Sequence, residues 1–91
     1  MIAELRDILA ALAAEREAIK KLDGAGVERA AIAKERFAVA VASIDVEANR
    51  DDLAIVAAEL RRNGVLLAHA RSCLREVTNL AKSQSRVQAR L

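Results

Sequence analysis

The stretch "LRRNGVLLAHARSCL" (residues 60–74) decides how many elements this chain has. Asn63-Gly64 is a dipeptide typical of hairpin turns, and here it lies between two apolar runs. A hairpin resets the hydrophobic phase, whereas a helix preserves it. From Leu53 the core-facing positions run Leu53, Val56, Leu60, Asn63, Leu67, Ala70, Leu74, Val77 and Ala81, in alternating steps of 3 and 4. The alternation crosses Asn63-Gly64 without losing a residue, so the segment reads as one long helix with Asn-Gly inside it. Gly64 then costs about 1 kcal/mol relative to Ala. Asn63 falls on the seam, where a polar side chain weakens packing and fixes register.

Two shorter seams precede it. The first is Ile2, Leu5, Leu9, Leu12, Arg16 and Ile19, widened by Ile8 and Leu22. "DGAG" (23–26) interrupts it, with Gly24 suited to the left-handed position after a helix. The second is Val27, Ala30, Lys34, Phe37, Val41 and Ile44, with Glu28 in its first turn. The polar run "DVEANRDD" (45–52) breaks the phase again; Asn49 reads as an N-cap, followed by Asp51 and Asp52 in the first turn. The chain has 91 residues, no Pro and three Gly, and is 54% hydrophobic with Phe37 as its one aromatic. Ala, Leu, Glu and Arg favour helix, and no proline breaks it. The sequence therefore predicts one all-α domain, a three-helix antiparallel bundle made of a helical hairpin and one long C-terminal helix. The expected boundaries are 1–22, 27–44 and 50–82, with 83–91 an amphipathic end that "KSQS" is prone to fray.

Length makes this arrangement informative. The first two helices span about 30 Å each, and the third, if intact, about 60 Å. The hairpin can shelter only the first half of the long helix. Beyond residue 70 the apolar residues continue as Cys73, Leu74, Val77, Leu80, Val87 and Leu91, and Leu66, Cys73, Leu80 and Val87 share one heptad position. Each such side chain gains roughly 1.5–3 kcal/mol on full burial. A cover is expected: a partner, a second copy, or the chain folded back at Ser83–Ser85.

Other chemistries are set aside on composition and spacing. There is no run of about 18 uncharged apolar residues, so no membrane span is expected. The opening "MIAELRD" lacks the apolar core of a signal peptide. A single cysteine fits a reducing, cytoplasmic setting. His69 and Cys73, four apart, supply two ligands where a structural zinc wants four, so neither metal nor cofactor is expected. Cys73 lacks a third orienting group for nucleophilic catalysis. Asp51 and Asp52 are adjacent on a helix and point apart, and the glycines build no phosphate loop. The expectation is a protein that is not an enzyme. Arg16 and Lys34 read as side chains that lay their stems over apolar neighbours and keep their charges in water. Residues 60–91 carry seven basic side chains against one acid, Glu76. Without interleaved aromatics, nucleic-acid binding ranks last among the readings.

The residues now assembled resemble the FlgN-type flagellar export chaperones. The block "LAAEREAIKKLDGAGVERAAIAKERF" (12–37) is similar to that family's opening hairpin, with Glu15 or Glu17, Leu22-Asp23 and Lys34 at the matching positions. The block "ELRRNGVLLAHARSCLREVTNLA" (59–81) is similar to its long final helix, Asn63-Gly64 included. The resemblance implies a cytoplasmic three-helix chaperone that binds the hook–filament junction proteins of the bacterial flagellum through its C-terminal amphipathic helix. Carried over, the client-binding positions are Leu67, Leu74, Val77, Leu80 and Val87, with Asn63 and Gly64 fixing register. The family's contact with the export gate is associated with an aromatic that this chain, which has no Tyr, does not supply. The resemblance therefore carries client binding rather than gate docking. The competing expectations are a self-associating coiled coil, present as a homodimer, and last a basic helix on nucleic acid.

Overall fold

The computed structural model describes residues 1–90, with side chains through Arg86. Three helices and no strand appear among the described residues: α1 (Ala3–Lys20), α2 (Gly24–Ala40) and α3 (Arg50–Arg90). A 3-10 turn, Val41–Ser43, tightens the end of α2. The architecture is an all-α bundle. Helices adjacent in sequence run antiparallel, so α1 and α3 point the same way. Helix α1 lies in the middle and packs against both others, while no Cα of α2 comes within 8 Å of one in α3. The molecule measures 67 × 20 × 19 Å, and its long dimension follows α3.

The interior is thin. Leu5, Ile8, Leu12 and Val56 form the buried cluster, with Leu9, Phe37, Ile44, Leu53 and Leu60 packed around it. Small residues bring the helices close elsewhere: Ala18 and Ala30 are buried, and Gly26 sits directly against Ala18. A Cβ at Gly26 would fall 2.7 Å from the Ala18 Cβ and 2.8 Å from an Asp23 carboxylate oxygen.

The structure corrects several local expectations. The left-handed residue that ends α1 is Leu22 (φ 54°), and no glycine has positive φ. The Asp23 N–H donates to the Ala18 carbonyl at 2.8 Å and the Leu22 N–H to that of Ile19 at 3.2 Å, the paired bonds of a Schellman ending. Asp23 is then free to cap α2 immediately, its carboxylate accepting from the Gly26 N–H at 3.1 Å. Gly24 thus begins α2 rather than ending α1, because a left-handed Gly24 would have moved Asp23 out of the cap position. Glu28 accordingly lies past the first turn, which holds no acid. Asn49 does stand at the N-cap position, its carbonyl accepting from the Leu53 N–H at 2.8 Å, while its side-chain amide donates to the Asp45 carbonyl at 2.8 Å and closes the preceding turn. Asp51 and Asp52 do occupy the first turn of α3.

Helix α3 runs unbroken through Asn63-Gly64 and through Ser83–Ser85, so the chain does not fold back over its own stripe. A Cβ at Gly64 would meet no atom within 4 Å. Gly64→Ala is therefore expected to raise stability by about 1 kcal/mol, whereas Gly26→Ala, forced against Ala18, should lower it by about 1–3 kcal/mol. Thermal or urea unfolding followed by circular dichroism checks both signs.

Candidate protein-docking surface

What projects from the bundle depends on how α3 is anchored to it. The anchor is a polar layer at mid-height. Glu15 of α1 is fully buried, with its side chain 1% exposed. Its Oε1 accepts from the Asn63 amide of α3 at 2.8 Å, and the same amide also donates to the Leu12 carbonyl at 2.8 Å. Its Oε2 accepts no well-formed hydrogen bond and is matched instead by the Lys34 ammonium of α2 at 2.7 Å. Arg16 donates to the Asn63 side-chain oxygen Oδ1 at 3.1 Å and forms an ion pair with Glu59. All three helices meet in this one cluster.

The cluster corrects the expectation that Arg16 and Lys34 hold their charges out in water. Both are largely sheltered, at 21% and 31% side-chain exposure, because a buried carboxylate and Asn63 require their donors. Asn63 is 2% exposed and bonds across to α1 within the same chain. Of the two glutamates at the resembling position, Glu15 enters the interior and Glu17 stays exposed, paired with Lys20 at 3.3 Å. The sequence pattern did not assign Glu15 to the interior, although a signal existed. It lies seven residues from both Ile8 and Leu22, in the heptad position read as widening the apolar seam.

Above this layer the hairpin stops. Ala18, Ile19, Leu22 and Val27 from the hairpin end face Leu67, Ala70 and Leu74 of α3 across an apolar cleft of about 220 Å³. Leu67 is half-buried there, and Leu74, at its outer edge, is 51% exposed. Farther out, Val77 and Leu80 are 65% and 63% exposed. Cys73 is also exposed, with its sulfur 3.7 Å from His69 Nε2. Of the candidate client-binding residues, Leu67 and Leu74 line the cleft, Val77 and Leu80 continue outward from it, and the Val87 side chain lies outside the described residues. The residue that sequence reasoning assigned to the α1 seam, Leu22, belongs equally to this cleft; it is 67% exposed and held in a left-handed conformation.

Among the described residues, no group of three His, Cys, Asp or Glu side chains is placed to hold a metal ion. No helix among them is long and apolar enough to cross a membrane. No protein-family model, curated protein or solved structure matches the chain.

The polar layer makes a direct prediction. Asn63→Ala removes the amide that bridges Glu15, Leu12 and Arg16, and should cost about 2–4 kcal/mol by stranding a buried carboxylate. Lys34→Met should also destabilise, and the two losses should be clearly non-additive because both act on Glu15. A double-mutant cycle by urea unfolding measures the coupling.

Proposed function

We propose that this chain is a cytoplasmic export chaperone or adaptor of the FlgN type. In this reading it receives an amphipathic segment of a hook–filament junction protein along the outer part of α3. The observation that carries the reading is the run of exposed apolar side chains Leu74, Val77 and Leu80, on a helix that outreaches the hairpin packed against it. Isolated exposed leucines are ordinary on a protein surface; a continuous helical row opening from an apolar cleft fits recognition of a helix in a groove. The choice of client class rests on the resemblance noted for residues 12–37 and 59–81.

A self-associating coiled coil is the second reading. It is favoured by the 3,4 spacing, which persists through Leu74, Val77 and Ala81 beyond the end of the hairpin. The two readings separate in sedimentation: a coiled coil gives a concentration-dependent dimer without any client.

Leu80→Asp is expected to abolish binding of flagellar junction proteins while leaving helical content and unfolding midpoint close to those of the parent chain. Leu74→Asp should do the same with a small loss of stability, because Leu74 also edges the cleft. Co-purification with junction proteins and circular dichroism on the same samples check this. Retained binding, or unfolding caused by Leu80→Asp, would sink the proposal.

A further inference from the structure

The apolar row on α3 has two unlike borders. In heptad terms, Leu74 and Ala81 share the position of Leu67, Val77 shares that of Asn63 and Ala70, and Leu80 shares that of Leu66 and Cys73. These three positions form one continuous arc of the helix. Arg71 flanks the arc next to Leu74, and Arg75 and Lys82, seven residues apart, stand in one column just beyond it. All three are exposed, and none has an ion-pair partner within 4 Å among the described residues. The opposite border carries His69, Glu76 and Ser83. One edge of the docking surface therefore carries three cations and no acid, with Thr78 among them, and the other is near neutral.

Resting on the function proposed above, we infer that the occupant of this surface is an acidic amphipathic helix. Its apolar face covers Leu74, Val77 and Leu80, a bulky apolar side chain at one end enters the cleft beside Leu22, and its carboxylates lie along Arg71, Arg75 and Lys82. Charge complementarity selects this occupant. An antiparallel second copy brings one basic edge against another, and a parallel copy offers that edge Glu76 as its one carboxylate, so self-pairing leaves the basic edge largely unmatched. A nucleic acid would use the basic edge, but it gains nothing from Val77 and Leu80, and the segment offers no aromatic side chain for base stacking. The cleft adds the second element. Leu22 holds a left-handed backbone that glycine adopts without strain, yet it presents a large apolar side chain that stays 67% exposed at the lip. An incoming apolar anchor would cover it.

The test uses the full chain and two fluorescein-labelled amphipathic peptides of equal length. Both carry Leu at the core positions of a helix, and they differ only in having Glu or Lys at the flanking positions. The Glu peptide is expected to bind at least about tenfold more tightly, with the advantage shrinking as salt is raised. The Arg75→Glu/Lys82→Glu double variant should invert the preference, and Leu80→Asp should remove binding of both peptides. Equal binding of the two peptides by the parent chain overturns the acidic preference and leaves the docking surface standing. If neither peptide binds, the docking reading itself falls. Tighter binding of a duplex DNA than of the Glu peptide, or a dimer of the chain that the Glu peptide fails to dissociate, would also overturn the inference.

Discussion

A single buried carboxylate holds the arrangement together. Glu15 sits in the interior of a bundle whose apolar core is only a few side chains deep, and an ion there is tolerable only if donors surround it. Asn63 comes from α3, Lys34 from α2, and Arg16, tied to Glu59, closes the circuit. Sliding α3 along α1 by one turn, about 5.4 Å, would pull Asn63 away and leave the carboxylate uncompensated. The layer thus acts less as a source of stability than as a fixed mark for axial position. The height at which α3 emerges from the hairpin follows from it, and so does the identity of the residues left uncovered.

The hairpin end is constrained by a second economy of residues. Asp23 serves both the ending of α1 and the beginning of α2, donating its N–H backward to Ala18 and turning its carboxylate forward to Gly26. That double use puts Leu22 in the left-handed position and Gly26 against Ala18. The connection is short enough for α1 and α2 to end together at one side of α3. Their ends and the flank of α3 then frame the cleft from which the exposed row departs. The geometry of the cleft is in this sense a consequence of capping chemistry.

The sequence by itself determined the number and kind of elements. Phase continuity through Asn63-Gly64 required a single α3, because a helix places every third and fourth residue on one face whatever its neighbours do. The same periodicity identified Leu5, Leu12 and Val56 as interior residues and marked Leu74, Val77 and Leu80 as apolar positions on a helix longer than its cover. Local competition was harder to read. Gly24 had a good claim on the left-handed position that ends α1, and only the finished turn shows that Leu22 takes it and leaves Asp23 to cap α2. Only the tertiary structure decided the fate of the polar side chains on or beside the seams. Arg16, Lys34, Asn63 and Glu15 are each unfavourable in an interior when taken alone, so a pattern read one helix at a time sends the charges of Arg16 and Lys34 to solvent and leaves the seam residue Asn63 without a named partner. Brought together from three helices they satisfy one another, and that mutual compensation is a property of distances between segments that no single segment encodes.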